Sequence, residues 1–246
     1  MSRAPLSETL RIAAALLIAA LAAAPIGLAA PIAPPGSTPA AGPPEKAPTP
    51  VFFKDLNKVL DGLQRHYQTT NAYSAKFSEE IAAVGAPARA RQGTFYFKKP
   101  GRMRWEFEAP ARELILSDGE NLYNYDPGLN QVLETPLEQA LRAPGATEFL
   151  LGVGNLKRDF DATRPAAPPA DGEVHVALKP KQGGYAIEVG IDPAKYAIRS
   201  LRLTDQLGDV TAIEFHEVND TVDLKDSLFS FRPPPGADIV RSAPPR

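Results

Sequence analysis

The stretch KKPGRMRWEFEAP, residues 98–110, has a proline near each end and a strict alternation of side chains between them. In an extended strand, successive side chains point to opposite faces. Met103, Trp105 and Phe107 would therefore share one face, and the Arg and Glu residues between them would share the other. Trp105 is the only tryptophan of the chain. This pattern predicts a β-strand with one strongly apolar face.

Further strand-like runs lie on both sides of this stretch, separated by short turn sequences. Asp118-Gly119, Asp126-Pro127-Gly128 and Gln206 to Asp209 are typical turns between antiparallel strands. The predicted strands are Tyr73–Ile81, Gly93–Lys98, the quoted stretch, Glu113–Ser117, Asn121–Tyr125, Gln131–Leu133, 173–180, 185–191, 198–205, 210–218 and Leu228–Phe231. Their succession predicts a meander of antiparallel hairpins.

The predicted helices are few for a sheet of this size. Thr49 and Pro50 are suitable as N-cap and first-turn residues of a helix beginning near Phe52. Its apolar residues share one helical face: Phe52, Leu56, Val59, Leu60, Leu63 and Tyr67. The segments 136–141 and 147–154 predict two more short helices. Either the sheet curls on itself, or helices line a concave face that stays partly open.

The N-terminal segment has the features of a secretory signal peptide. Arg3 and Arg11 precede the apolar run 12–24, which is short for a membrane span, and small residues follow it. We expect residues 1–29 to be cleaved off after Ala29, with an uncleaved anchor as the alternative. The Pro- and Ala-rich residues 30–50 predict a disordered linker, because they cannot bury enough apolar surface to fold. A folded domain over residues 51–240 and a flexible tail over 241–246 complete the predicted organisation.

Composition argues against several classes of function. A net charge of −2 gives no general attraction to nucleic acid or to an acidic membrane surface. The chain has no cysteine, which excludes disulfides, thiol catalysis and a lipid anchor on cysteine. With three scattered histidines, His66, His175 and His216, we predict no metal site and no cofactor, and we interpret each as a surface or packing residue.

Catalytic signatures are also weak, so we predict that the protein is not an enzyme. Glu106 and Glu108 form a pair on one strand face, but Arg102 and Arg104 share that face, which is typical of a solvated and self-neutralising surface. A G-x-S-x-G nucleophile motif does not occur. The remaining candidate is the apolar stripe, which is either an ordinary core or the wall of a ligand cavity: Tyr96, Met103, Trp105, Phe107, Leu114, Leu116 and Leu122.

Residues 91–137 carry a series of short motifs in a definite order. These motifs are Gly93, Lys98-Lys99-Pro100, Trp105, Pro110, Leu114–Leu116, Ser117-Asp118-Gly119, Tyr123–Tyr125 and Gln131-Val132. In order and spacing they resemble the periplasmic outer-membrane lipoprotein carriers, the LolA family. The match extends back through residues 72–80 and the amphipathic helix, and forward to residues 228–236, so it covers nearly the whole predicted domain.

The resemblance implies a mainly β fold, an unclosed curved antiparallel half-barrel with short helices lining and covering its concave apolar face. It implies a soluble, monomeric periplasmic carrier of acylated lipoproteins, which an inner-membrane ABC exporter releases and an outer-membrane lipoprotein receives, if the host has such an acceptor. The alternatives are a shuttle or sensor for another lipid or glycolipid with this fold, a secreted hydrolase, and a purely structural sandwich.

The resemblance also assigns roles to individual residues. The family's lid-holding arginine corresponds to Lys99 here, which would be a weaker latch because lysine lacks the planar guanidinium fork. The apolar side chains are expected to enclose a vacancy for acyl chains. The cavity residues are Leu56, Val59, Leu60, Leu63, Tyr96, Met103, Trp105, Phe107, Leu114, Leu116 and Leu122, and the lid residues are Leu137, Leu141, Phe149 and Leu150.

Overall fold

The computed structural model describes residues 53–141, 154–166, 168–169, 171–181 and 183–242. Within these ranges the chain forms three helices and twelve strands. The helices are α1 (Leu56–Thr69), α2 (Leu137–Leu141) and α3 (Leu156–Asp159). The strands are β1 (Ala72–Ala82), β2 (Arg89–Lys98), β3 (Arg102–Phe107), β4 (Leu114–Asp118), β5 (Asn121–Asp126), β6 (Gln131–Pro136), β7 (Phe160–Thr163), β8 (Val174–Pro180), β9 (Ala186–Ile191), β10 (Ile198–Thr204), β11 (Val210–Asn219) and β12 (Asp238–Arg241).

All twelve strands belong to one curved sheet, in the order β12-β6-β5-β4-β3-β2-β1-β11-β10-β9-β8-β7. Strands β12 and β7 are its two edges, so the sheet is not closed into a barrel. Neighbouring strands are antiparallel except for β12, which pairs with β6 in parallel. The predicted unclosed half-barrel with helices over its concave face is confirmed, with one parallel pair added at the edge.

Strand β3 shows why the quoted stretch sets the fold. Its burial alternates residue by residue, and Met103, Trp105 and Phe107 are all buried on the concave side. Opposite Phe107 lies Gly93 of β2, where a Cβ atom would collide with the Glu106 carbonyl and the Phe77 ring. Glycine at this position therefore allows the aromatic side chains of adjacent strands to pack closely.

The first helix begins later than predicted. It starts at Leu56, and the side chain of Asp55 is the N-cap, accepting hydrogen bonds from Asn57 N at 2.9 Å and Lys58 N at 3.2 Å. An aspartate satisfies the free backbone N–H groups of the first turn, so a start near Phe52 is wrong. Thr49, Pro50 and Phe52 lie outside the described residues.

The C-terminal part differs most from prediction. The predicted strand Leu228–Phe231 is wrong, because Asp226–Phe229 forms a 3₁₀ turn and only Asp238–Arg241 joins the sheet. Strand β7 and helix α3 had no prediction, and the predicted helix over 147–154 lies outside the described residues apart from Gly154. None of the described helices has the length and apolar character required to cross a membrane.

Candidate functional site

The concave face of the sheet carries a layer of aromatic side chains centred on Trp105. Across neighbouring strands, Phe95 lies directly opposite Trp105, and Trp105 lies opposite Ile115. The Trp105 ring centroid is 4.2 Å from that of Phe95 and 4.9 Å from that of Phe77. Aromatic pairs at these separations stabilise one another beyond simple burial. We call this the aromatic layer, and its members are Phe77, Phe95, Trp105, Phe107 and Phe215.

Helix α1 covers the aromatic layer with its apolar face. Val59, Leu60 and Leu63 are buried in the same core as Trp105, and Leu56 packs against that core while half-buried. The structure therefore brings these four predicted residues together with Met103, Trp105, Phe107 and Leu122. Amphipathic spacing in the sequence was sufficient to predict this arrangement.

Helix α2 supplies the described part of the predicted lid. Leu137 is buried in the concave core, and Leu141 packs against it while half-buried. Phe149 and Leu150 lie outside the described residues. Gly154 and Leu156 are hydrogen-bonded to α1 through one side chain. Gln64 Nε2 donates to Gly154 O at 3.2 Å, and Leu156 N donates to Gln64 Oε1 at 2.9 Å.

Three predicted cavity residues lie on the wrong face. Tyr96 and Leu116 are each paired with Arg104, and Leu114 is paired with Glu106, which places all three on the convex side of the sheet. Their assignment to the concave face is therefore corrected. The concave positions in these strands belong to residues that sequence reasoning missed, namely Phe95, Phe97 and Ile115.

The convex face over β2 to β5 is covered by residues 224–231, which we call the C-terminal strap. Its Phe229 is buried, and the ring centroid of its Phe231 lies 5.2 Å from that of Tyr123. Lys98 Nζ donates to Leu224 O at 2.6 Å and Arg104 Nη1 donates to Leu228 O at 3.1 Å. Arg104 is thus an outer-face residue, as predicted, that also positions the strap.

The concave face is filled in this state. Met103, Trp105 and Phe107 are only 2–6% exposed, and the small enclosed space beside Tyr67 and Phe215 has a volume of about 10 Å³. That volume is at the lower limit for one water molecule and far below the size of an acyl chain. The side chains of Met103, Trp105 and Phe107 therefore present almost no open surface to an acyl chain in this state. Binding of an acyl chain would require α1 or α2 to move away from the sheet.

Lys99 joins the corner between β2 and β3 to the end of α1. Its Nζ donates to Tyr67 O at 2.8 Å and to Gln68 O at 2.7 Å, two carbonyls of the last helical turn. Cations at a helix C-terminus satisfy carbonyls that have no partner within the helix. Burial lowers the pKa of Lys99 from its ordinary value of 10.5. In the described residues its side-chain hydrogen bonds therefore hold α1 rather than α2.

A buried ion cluster lies at the end of the aromatic layer and was not predicted. Arg91 Nε donates to Glu79 Oε2 at 2.7 Å, and Arg91 Nη1 donates to Glu113 Oε2 at 3.0 Å. The Arg91 guanidinium also lies 4.3 Å from the centroid of the Phe107 ring. Burial raises the pKa of both carboxyl groups above the ordinary value of 4.5, although Arg91 opposes this. Detecting the cluster requires the register of β1 against β2, which places Glu79 opposite Arg91.

The chain resembles a family of known proteins. The family model described as "Outer membrane lipoprotein carrier protein LolA" matches residues 68–232. An outer-membrane lipoprotein carrier protein from Dechloromonas aromatica is 32% identical over 184 residues, covering 74% of this chain and 87% of that protein. One from Methylibium petroleiphilum is 31% identical over 187 residues, covering 74% of this chain and 89% of that protein.

A solved structure is also similar. The crystal structure of a LolA superfamily protein from Nitrosomonas europaea aligns with a TM-score of 0.41 and 13% sequence identity. The alignment covers 71% of this chain and 97% of that one.

Proposed function

Because the chain belongs to the family of the outer membrane lipoprotein carrier protein LolA, we propose that it binds the acyl chains of lipoproteins and carries them from the inner to the outer membrane. The observation that supports this most is the concave aromatic layer covered by an amphipathic helix. The proposed role is that of a carrier without catalysis. Its cargo would be lipoproteins with acyl chains still attached.

The physical need for such a carrier follows from the cost of exposing hydrocarbon to water. Burying one methylene group contributes about 0.8 kcal/mol, so a single long acyl chain in water costs on the order of 10 kcal/mol. The layer around Trp105 offers an apolar surface of the required kind. Since that surface is filled by its own neighbours, cargo has to displace part of the cover.

We propose that α1 and α2 form the movable cover. In the closed state the α1 residues Val59, Leu60 and Leu63 pack on the sheet. An acyl chain would replace these contacts, so the net affinity is the difference between two similar apolar interactions. Moderate net affinity allows the cargo to be released at its destination.

Lys99 is the proposed latch of this cover. Its two hydrogen bonds to the carbonyls of Tyr67 and Gln68 hold the C-terminal end of α1 against the corner of the sheet. Opening at this end has to break both bonds. The flexible lysine side chain suits a latch that opens more readily than one made by a guanidinium group.

The proposed site of action is the periplasm, which the protein would reach by means of a signal peptide over residues 1–29. Residues 30–50 would form a linker that precedes the folded domain. The proposed partners are an inner-membrane ABC exporter that releases lipoproteins and an acceptor at the outer membrane. The carrier would act as a monomer, with its domain extending from residue 51 to about residue 240.

Binding of a synthetic diacylated lipopeptide to the purified protein tests the function. Trp105 is the only tryptophan and lies in the proposed site, so its fluorescence reports binding directly. We expect saturable binding of one lipopeptide per protein, measured by fluorescence and by native mass spectrometry. The matched control is the same peptide without acyl chains, which should not bind. Equal signals from both peptides, or none from the acylated one, would contradict the proposal.

The Lys99→Leu variant tests the latch. Loss of two hydrogen bonds from a charged donor should make uptake of the lipopeptide at least about tenfold faster, measured by stopped-flow fluorescence. Lys98→Leu is the matched control, because the neighbouring Lys98 contacts the C-terminal strap on the convex face. If Lys99→Leu takes up lipopeptide and accepts lipoproteins from the exporter at wild-type rates, Lys99 is not a latch.

A further inference from the structure

A second group of chemically reactive side chains lies on the opposite side of the sheet, near the β7 edge. Strands β8 and β9 border an open groove of about 880 Å³, lined by Asp171, Glu173, His175 and Glu188 among others. His175 on β8 and Glu188 on β9 point to the convex face, because their neighbours along each strand point to the concave core. The aromatic layer lies on the other face, so this group has no part in the proposed acyl-chain site.

The side chains converge on the imidazole of His175. Its Nε2 lies 2.8 Å from Asp171 Oδ2 and 3.9 Å from Glu173 Oε2. Its Nδ1 lies 3.1 Å from Glu188 Oε1, but among the described residues it has no partner with hydrogen-bond geometry. His175 is only 4% exposed, whereas the side chain of Asp171 is 37% exposed. Three carboxylates thus surround one buried imidazole.

The charges around His175 favour a bound cation. Three carboxylates lie within 3.9 Å of one imidazole, which is more negative charge than that ring can balance. Arg199 lines the same groove, but its Nη2 donates to Asp192 Oδ2 at 3.2 Å. A cation bound at Nε2 would offset this negative charge, while Nδ1 faces Glu188.

We propose that Nε2 of His175 and the carboxylates of Asp171 and Glu173 bind a divalent metal ion, with Zn²⁺ as the best match to one imidazole and two carboxylates. Zn²⁺ lies about 2.0–2.2 Å from such ligands, so donor atoms around one ion are separated by about 3.0–3.5 Å. The separations of 2.8 and 3.9 Å from Nε2 bracket this range. The groove leaves the remaining coordination position open to water.

The surroundings of the three ligands have the form of an outer shell around a metal site. Glu188 would accept a hydrogen bond from Nδ1–H and fix the orientation of the ring, an arrangement common for metal-binding histidines. Ser200 Oγ donates to Glu173 Oε2 at 2.7 Å. At Gly190 any side chain would collide with Glu173 Oε2 and Ser200 Oγ, so glycine there makes room for the carboxylate. The proposal departs from the prediction of no metal site, which depended on the small number of scattered histidines.

The same groove contains a natural control. His216 Nε2 lies 3.7 Å from Glu214 Oε2, but both side chains are more than half exposed, at 53% and 68%. Solvent satisfies such a pair without a metal ion. Only the buried imidazole with three carboxylates should therefore bind the ion.

Isothermal titration calorimetry with ZnCl₂ tests the site on the full chain, without a histidine tag and after treatment with a chelator. We expect one Zn²⁺ per chain. Asp171→Asn and His175→Ala should abolish binding, and Glu188→Gln should weaken it by about 10- to 100-fold. His216→Ala should bind as the wild type does. The side chain of Asp171 is 37% exposed, so its variant remains informative if His175→Ala fails to fold.

A second measurement separates specific coordination from weak surface binding. Co²⁺ in place of Zn²⁺ should give visible absorption bands that disappear in Asp171→Asn and persist in His216→Ala. Absence of stoichiometric Zn²⁺ binding by the wild type would overturn the proposal. Equal binding by the wild type and Asp171→Asn would overturn it as well. Neither result would affect the proposed lipoprotein carrier function, which is measured with the lipopeptide.

Discussion

The sheet carries a three-membered ion cluster on each face, and the charges are arranged in opposite senses. On the concave face one cation, Arg91, lies between two anions, Glu79 and Glu113. On the convex face one anion, Asp226, lies between two cations. The two convex cations are Lys98 and Arg102.

The difference between the clusters is their contact with water. The side chains of Arg91 and Glu79 are 13% and 2% exposed, whereas that of Asp226 is 68% exposed. Burial raises the pKa of Glu79, while a hydrogen bond from Lys98 lowers the pKa of Asp226 from its ordinary value of 3.8. Similar pairing chemistry therefore has opposite effects on the two carboxyl groups, because desolvation dominates in one place only.

Replacing Arg91 by leucine should give the largest effect. The change leaves the buried Glu79 carboxylate without its partner and removes the cation over the Phe107 ring. Breaking a buried pair in this way costs about 3–5 kcal/mol of the free energy of unfolding. Urea denaturation followed by circular dichroism measures it.

The matched control for Arg91→Leu is Arg102→Leu on the convex face. Its partner Asp226 is exposed and keeps Lys98 as a second cation, so we expect a much smaller loss of stability. If the two variants lose equal stability, burial does not account for the difference between the clusters.

Where one face of an element is apolar, local patterns in the sequence were sufficient to predict which residues are buried. The alternation in β3 predicted the buried positions of Met103, Trp105 and Phe107, and the spacing in α1 predicted its packing face. The turn Asp118-Gly119 predicted the β4–β5 hairpin, and Gly119 indeed has a positive φ of 102°. These signals depend only on residues close together in the chain.

Properties that depend on strand register could not be predicted in this way. Leu114, Ile115 and Leu116 are consecutive apolar residues, so nothing in β4 itself shows which of them faces α1. The pairing with β3 decides it, because it places Leu114 and Leu116 on the convex face beside Glu106 and Arg104. The pairing of Glu79 with Arg91 and the convergence on His175 likewise join residues of different strands or loops.

A filled concave face was also beyond sequence reasoning. An aromatic stripe has the same composition whether it lines a vacancy or packs against a helix. Only the exposed fractions of Trp105 and its neighbours distinguish the two arrangements. The proposed carrier role therefore depends on movement of the helices that pack over Trp105.

The smallest predicted effect is a difference in pH dependence between the faces. The raised pKa of Glu79 means that the folded state binds more protons than the unfolded state above pH 4.5, so stability falls as pH rises through that window. For Asp226, whose pKa is lowered, stability is instead lost as pH falls below 3.8. Urea denaturation between pH 3 and pH 7 should show that Glu79→Gln reduces the fall in stability above pH 4.5, by at most about 1.4 kcal/mol per pH unit. Asp226→Asn should reduce the loss of stability below pH 3.8. If both variants change the pH dependence of stability in the same pH range, the two clusters do not respond oppositely to burial.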